Sequence, residues 1–362
     1  MKKATILILL SLWACLTLGA WFRTPEKISD DERRALAQMP KITVKTLGNG
    51  NFMRDFEKYA VDQFPLRRNF RGLKAVVHTG LLGQKDMNGI YLYEGHAVKQ
   101  EYPLDEISLR HALTVFGKIH DTYLQDAETI CFALVPDKNA YLGPESGHLS
   151  ISYDDLSDTV EENLPWADFL DLRDTLTADC YYRTDAHWRQ ETLIPTAQAI
   201  CKALNIPEPK AEDYTEKTLE NPFYGVYYGQ AALPLTPDRI TILESPLLHS
   251  AAVYDYETEK TGPVYDMEKL QSRDLYDVYL SGAKSLLTVE NPNAATDREL
   301  VLFRDSFGSS MAPLLLQGYR RITLVDVRYI RSDFLKEYLD FSGKDVLFLY
   351  STTVLNQSGT LQ

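Results

Sequence analysis

The chain has 362 residues, 44% of them hydrophobic and 25% charged, with 19 Gly and 17 Pro; this ordinary globular usage excludes disorder, collagen and coiled coil for its bulk. At roughly 150 residues per domain the length accommodates about two domains, or one large α/β domain with an elaborated N-terminal segment. Fifty-one acidic against 38 basic residues give a formal charge of −13, which repels phosphate backbones and, with no local basic patch, excludes nucleic acid as a partner.

Ala4 to Phe22 is an uncharged run of 19 residues, long enough to span a bilayer. Lys2 and Lys3 precede it, so the positive-inside bias keeps the N-terminus cytoplasmic and sends the chain from about Arg23 across the membrane. The working body is therefore expected outside the cytoplasm. The run reads as an uncleaved anchor, since Trp21 and Phe22 extend it as interfacial residues would; Leu18-Gly19-Ala20 ends in small residues and leaves a cleaved signal peptide as the alternative. Bulky Trp13 lies two positions before Cys15 and argues against lipidation there. Cys131, Cys180 and Cys201 are too few and too scattered for a disulfide scaffold or a Cys-x-x-Cys metal site. They read as buried thiols; an oxidising compartment allows one disulfide among them, with the pair left open. Neither a metal nor a cofactor is expected.

Beyond the apolar run, Ser29-Asp30-Asp31-Glu32 has capping-box spacing and predicts a short polar helix ending before Pro40. Phe52, Met53, Phe56, Tyr59 and Ala60 recur at helical spacing up to Pro65, and Phe70, Leu73, Val76 and Val77 mark a second helix packed on the first. Gly89–Tyr93 and His96–Val98, joined through Glu94-Gly95, read as a hairpin. From about Ile107 the pattern changes to helices alternating with short, continuously apolar strands, the signature of a parallel sheet covered on both faces. Helices are expected over 109–124, 196–204, 308–317 and 332–339, and strands over 130–135, 169–172, 180–182, 300–303, 322–327 and 346–350. Residues 212–293 break the alternation with many Tyr, Pro and turn residues, and read as an insertion of antiparallel hairpins. The expected organisation is an anchor or signal segment over 1–23, a stalk with helices and hairpin over 24–100, and an α/β domain over 101–362 carrying the insertion.

Two stretches carry the chemistry. In Thr184-Asp185-Ala186-His187-Trp188, directly after the expected strand 180–182, side chains two apart in extended chain point to one side. Asp185 can then meet the Nδ1 hydrogen of His187, fix its tautomer and leave Nε2 as a base. In Val301-Leu302-Phe303-Arg304-Asp305-Ser306-Phe307-Gly308, an apolar strand runs into a serine and then a helix. Open α/β sheets bind ligands at that carboxyl edge, and a backbone N–H at a helix N-terminus is a ready oxyanion donor. Each stretch alone has a bland reading, a satisfied strand-end histidine or a helix N-cap. Together they supply the nucleophile Ser306, the base His187 and the orienting acid Asp185 that acyl transfer requires. Other strand ends open on the same edge: Lys138 or Asn139 as an oxyanion or substrate contact, Arg328 for a carboxylate or sugar hydroxyls, and Tyr329 for stacking. Trp188 joins this candidate substrate-binding set.

At these residues the chain resembles the SGNH-hydrolase-like proteins of bacterial cell envelopes, specifically the DHHW family and its relatives among the alginate O-acetylation proteins. The resemblance covers most of the chain: the membrane-anchored start, Asp62-Gln-Phe-Pro65-Leu-Arg67, Asn88-Gly-Ile-Tyr91, Pro136-Asp-Lys138, Asp185-Ala-His187-Trp188, Asp305-Ser306-Phe307 and Asp326-Val-Arg328-Tyr329. In such relatives Ser, His and Asp form a triad for O-acetyl transfer to exported polysaccharide, with the acid–base pair preceding the serine, as Asp185 and His187 precede Ser306 here. Two positions depart. The name-giving second residue, usually His, is Ala186, and Arg304-Asp305 stands where the wider superfamily often has Gly-Asp. The resemblance implies an SGNH-like parallel sheet flanked by helices. It also implies O-acetyltransferase or acetylesterase activity on a cell-envelope polysaccharide through an acetyl-serine, with a membrane-bound O-acyltransferase supplying the acetyl groups. The reading from a different class is a non-catalytic glycan-binding or assembly protein, for which the tyrosines between Tyr214 and Tyr279 suit sugar stacking.

Overall fold

The computed structural model describes residues 2–362, which divide into two compact units: residues up to 91 together with Val226–Thr236, and Leu92–Gly225 together with Pro237–Gln362.

In the first unit Lys2–Phe22 is one α-helix, and its stretch Lys3–Phe22 is long and apolar enough to cross a membrane, with none of that stretch buried. The helix expected at Ser29 does not form. Glu32 N does donate to Ser29 Oγ at 3.2 Å, one of the two capping-box bonds, and the Ser29 hydroxyl lies 3.3 Å from Glu32 Oε1, but the two residues close a turn between the antiparallel segments Ile28–Ser29 and Arg34–Ala35. Tertiary charge decides the outcome, because the turn delivers Glu32 to Arg34, Arg67 and Arg71. Burial alone would raise the Glu32 carboxyl, and these guanidinium groups override it and hold it below its ordinary range. Asn51–Asp62 and Arg67–Val76 are the two helices expected on either side of Pro65. The Val226–Thr236 segment is held here by the Gln230 carbonyl, which accepts from Arg71 Nη2 at 3.0 Å and Asn88 Nδ2 at 2.8 Å. Gly229 passes so close to the Asp31 carbonyl that a Cβ would lie 1.5 Å from its oxygen.

The second unit is built on an eight-stranded sheet. Its strands are β1 (Thr129–Val135), β2 (Asp168–Asp171), β3 (Ala252–Asp255), β4 (Lys260–Gly262), β5 (Leu286–Glu290), β6 (Glu299–Arg304), β7 (Arg321–Val325) and β8 (Asp345–Ser351), in the order β4-β3-β5-β7-β6-β8-β1-β2. From β7 to β2 every pairing is parallel, and β5, β3 and β4 extend that edge antiparallel. The middle residues of the central strands are mostly apolar because both faces are covered. Leu302 and Leu347 pair in register and face a core shared with helices Ile194–Ala203 and Gly308–Leu315. The next pair, Phe303 and Phe348, faces the opposite core with helices Glu106–Tyr123 and Tyr153–Asn163. Their rings stack with centroids 4.7 Å apart.

Three expectations change in this unit. Residues 180–182 are not a sheet strand: Ala178–Cys180 is a 3-10 turn, and only an isolated bridge between Tyr181 and Trp188 remains. The region 212–293 is not wholly an insertion on the sheet, since it supplies the three antiparallel strands at its edge, a separate two-stranded ribbon of Thr215–Phe223 with Asp238–Glu244, and the segment that folds with the first unit. Ser332–Glu337 is a 3-10 helix rather than an α-helix. All four cysteines are free, and burial raises the Cys131 and Cys201 thiols to about 12, which makes them poor nucleophiles.

Candidate active site

β6 lies between β7 and β8 in the middle of the parallel region, and the chain leaves its carboxyl end at Asp305 and Ser306 before entering helix Gly308–Leu315. This turn is braced by the Asp305 carboxylate. Its Oδ1 accepts from Phe307 N at 2.9 Å and its Oδ2 from Ser351 N at 2.8 Å, at the end of the neighbouring β8. Gly308 allows the helix to approach the strand, because a Cβ there would sit 2.6 Å from the Arg304 Cβ. Arg304 is fully buried and points inward, with Nη atoms 3.4 Å from the carbonyls of Asp305 and Gly282 and 3.9 Å from the Asp326 carboxylate. Burial pulls its guanidinium down against the opposing attraction of Asp326. Ser306 itself is half-buried, and its backbone N–H has no acceptor among the described residues.

Asp185, His187 and Ser306 form one continuous chain of hydrogen bonds. The Ser306 hydroxyl lies 2.7 Å from His187 Nε2, and His187 Nδ1 lies 2.6 Å from Asp185 Oδ1. An Nδ1 hydrogen facing a carboxylate leaves Nε2 as the acceptor, so Ser306 donates to it. Asp185 is fully buried, while the His187 side chain keeps 13% of its surface. The acid and base do not meet as same-side residues of a strand. The segment bends, and the His187 backbone N–H also donates to Asp185 Oδ1 at 3.0 Å, so one carboxylate oxygen both closes the turn and holds the ring. Ala186 is partly exposed and takes no part in this chain.

The remaining residues singled out from sequence fall into two groups. Lys138, Asn139 and Trp188 are buried and bonded into the protein. Lys138 Nζ donates to the Tyr182 carbonyl at 2.9 Å and lies 3.4 Å from that of Arg183, just ahead of Asp185. Burial lowers its ammonium to about 7, against the attraction of Asp185, Asp238 and Asp137. Asn139 Nδ2 donates to the Leu149 carbonyl at 3.3 Å, and Trp188 Nε1 to Ser310 Oγ at 2.8 Å. Lys138 and Trp188 thus carry bonds that support the acid–base loop, and Asn139 ties the start of helix Asn139–Ser146 to the chain just beyond it. Arg328 and Tyr329 follow β7 on the same edge. Arg328 grips the Asp326 carboxylate through Nε at 2.8 Å and Nη2 at 2.6 Å, and its guanidinium lies 5.5 Å from the centre of the exposed Tyr329 ring. This ion pair raises the guanidinium although burial opposes it.

Other supports of the site were not evident in the sequence. The Tyr276 ring stacks on His187, and its hydroxyl meets Ser310 Oγ at 2.7 Å. Gln190 Nε2 donates to the Ser310 carbonyl at 2.9 Å. These pairs are 34 to 120 residues apart in the chain, so no local pattern announces them; the tyrosine-rich stretch was the one available signal. No group of three or more His, Cys, Asp or Glu placed to hold a metal occurs among the described residues.

No protein-family model and no curated protein matches the chain. Solved structures do. A DHHW family protein from Eubacterium siraeum superposes with a TM-score of 0.60 at 21% identity, over 75% of this chain and 93% of that one. PatB1 of Bacillus cereus, solved with a sulfonyl adduct, superposes with a TM-score of 0.56 at 19% identity, over 74% of this chain and 97% of its own. The O-acetyltransferase domain of Pseudomonas putida AlgJ aligns at 14% identity with a TM-score of 0.44, over 74% of this chain and 92% of that domain. The chain therefore shares the α/β fold of the DHHW family protein and of PatB1.

Proposed function

We propose that the chain is an extracytoplasmic O-acetyltransferase or acetylesterase acting on a cell-envelope polysaccharide through an acetyl-Ser306 intermediate. The observation that carries this reading is the unbroken bonding from Ser306 Oγ to His187 to buried Asp185, set at the carboxyl end of a central parallel strand. Nucleophile, base and orienting carboxylate stand in the relation that acyl transfer requires.

The geometry supports the following sequence. Ser306 Oγ attacks the acyl carbonyl carbon as its proton passes to His187 Nε2. Asp185 keeps the ring oriented and balances the imidazolium that forms. The carbonyl oxygen, now negative, is met by the unoccupied N–H of Ser306 at the entrance to helix Gly308–Leu315. Collapse breaks the bond to the leaving oxygen, which takes the proton from His187 and departs as an alcohol. A glycan hydroxyl or water then attacks acetyl-Ser306, again losing its proton to His187, and the Ser306 oxygen recovers that proton as the ester is cleaved. The product is an acetylated glycan or acetate, and one arrangement serves both.

The placement outside the cytoplasm rests on the uncharged run Ala4 to Phe22 of the first helix and on Lys2 and Lys3 ahead of that run. By resemblance, the acetyl groups come from a membrane-bound O-acyltransferase and the acceptor is an exported polysaccharide. The sulfonyl adduct of PatB1, a protein of like fold, fits a reactive nucleophile in that protein. The test is release of acetate from an activated acetyl ester by the detergent-solubilised chain, with mass spectrometry for an acetyl group on Ser306. Folded Ser306→Ala and His187→Ala variants are expected to lose about 1,000-fold or more of the turnover. Wild-type turnover in either variant would overturn the proposal.

A further inference from the structure

Asp185 and His187 stand on a loop without regular secondary structure, closed by the bridge between Tyr181 and Trp188 and braced at the Tyr182 and Arg183 carbonyls by Lys138 Nζ and Ala97 N. Something other than a sheet must hold the acid in place. The residues immediately ahead of it are gripped by a carboxylate from elsewhere in the chain. Asp238 Oδ1 accepts from Arg183 N at 2.9 Å, and its Oδ2 accepts from Thr184 N at 2.8 Å and from the Thr184 hydroxyl at 2.6 Å. The same hydroxyl oxygen accepts from Gly225 N at 3.0 Å. Gly225 presses directly on the loop: a Cβ there would lie 2.4 Å from the Asp185 Cβ and 2.4 Å from the Thr184 carbonyl oxygen. Asp238 opens the second strand of the ribbon, in register with Phe223 of the first. Gly225 and Asp238 thus bracket the Val226–Thr236 segment in sequence, and the chain entering and leaving that segment is the chain that clamps Thr184.

We infer that Asp238 is a positioning residue for acyl transfer, acting through Thr184 to fix the Asp185 carboxylate against His187. This rests on the triad reading above. Asp238 bonds to neither His187 nor Ser306; it satisfies the backbone donors of Arg183 and Thr184 and the Thr184 hydroxyl, in the two residues preceding the acid, so the orientation of Asp185 follows from that of Thr184. Charge-assisted bonds to backbone N–H groups are the strong kind, and a displacement of about 1 Å at a reacting group costs on the order of 100-fold in rate.

The experiment compares Asp238→Asn, Thr184→Val, Thr184→Ser and Ser306→Ala in the full-length protein. Steady-state hydrolysis of an activated acetyl ester is measured together with the low-field proton resonance of the His187 Nδ1 hydrogen, assigned by its absence in His187→Gln. Asp238→Asn and Thr184→Val are expected to lower kcat by about 10- to 100-fold with KM within about twofold, and to shift or broaden the resonance. Thr184→Ser, which keeps the hydroxyl, is expected to retain most of the rate and the resonance. A merely structural clamp would lower the unfolding midpoint and move neither readout in the folded fraction. Should Asp238→Asn fail to fold, Thr184→Val carries the same comparison. Wild-type kcat and resonance in Asp238→Asn and Thr184→Val, with Ser306→Ala inactive, overturn this inference alone. Full turnover in Ser306→Ala overturns the triad reading, and this inference with it.

Discussion

The ring of Tyr276 lies flat on the ring of His187, with centroids 3.9 Å apart and planes 12° from parallel. His187 is confined by this contact as well as by its two ring hydrogen bonds, and Tyr276 is itself fixed by its hydroxyl on Ser310 Oγ, which also receives the Trp188 indole N–H. A residue in the edge insertion therefore sets the pitch of the candidate base.

Ring and hydroxyl can be separated by mutation. Tyr276→Phe keeps the stack and removes one buried hydrogen bond, leaving Ser310 with the Trp188 partner. It is expected to cost about 1 kcal/mol of stability and little turnover. Tyr276→Ala frees one face of the imidazole and is expected to lower kcat by about 10- to 100-fold. Esterase kinetics beside thermal unfolding of both variants checks this. Equal turnover in Phe and Ala variants would show that the stack does not orient the base.

Asp185 holds the tautomer and carries the charge that balances the imidazolium, and Asp185→Asn separates the two with little change of shape. The His187 backbone N–H and Nδ1 share one oxygen of Asp185, so the amide keeps its oxygen there, the tautomer is retained and only the charge is lost. The expected loss in kcat is about 100- to 1,000-fold, with the fold retained. Pre-steady-state measurement of acetyl-Ser306 formation locates the loss in acylation; a normal acylation rate would remove Asp185 from the mechanism.

Much of this site was legible in the sequence, for physical reasons that also mark where legibility stopped. Buried parallel strands are short, apolar and bounded by turns, so β6, β7 and β8 stood out, and with them the serine at the end of β6. Asp185 and His187 were legible as a pair because their spacing is local, although the local structure that joins them is a bend where a strand was expected. For Lys138 and Trp188, placed at the same edge from sequence, composition does not reveal which way a side chain points. Their partners, the Tyr182 carbonyl and Ser310, are 44 and 122 residues away. The same distance concealed Tyr276 and Asp238. Ser29 and Glu32 show the converse, a correct local hydrogen-bond motif whose outcome is changed by arginines 35 and 39 residues further along, Arg67 and Arg71.

Asp305 links the nucleophile turn to the neighbouring strand, and Asp305→Ala removes both of its bonds, to Phe307 N and Ser351 N. Two charge-assisted bonds with buried donors are lost, so the expected destabilisation is about 3 kcal/mol, read by denaturant unfolding. Because Ser306 is the next residue, turnover should fall together with stability, whereas Asp305→Asn retains one acceptor and should lie between wild type and Ala. An unchanged unfolding midpoint in Asp305→Ala would show that the turn is held by its backbone alone.

Lys138 gives the fold a pH dependence of definite sign. Its ammonium is wholly buried, and burial lowers it from 10.5 to about 7 against the attraction of Asp185, Asp238 and Asp137. Between these values the unfolded chain holds a proton that the folded chain has released, so raising the pH stabilises the fold across that window. Below about 7 both states carry the proton, and the folded state bears the full cost of a buried charge held by the Tyr182 and Arg183 carbonyls. Denaturant midpoints measured from about pH 7 to 8, beneath the ordinary thiol and tyrosine ranges, should therefore rise with pH in the wild type. Lys138→Met removes the titrating group while filling similar space, and its midpoint should be flatter across the same interval. Equal slopes in the two proteins would mean that Lys138 keeps its proton in the folded state. The ammonium would then stand as a permanent positive charge behind Asp185.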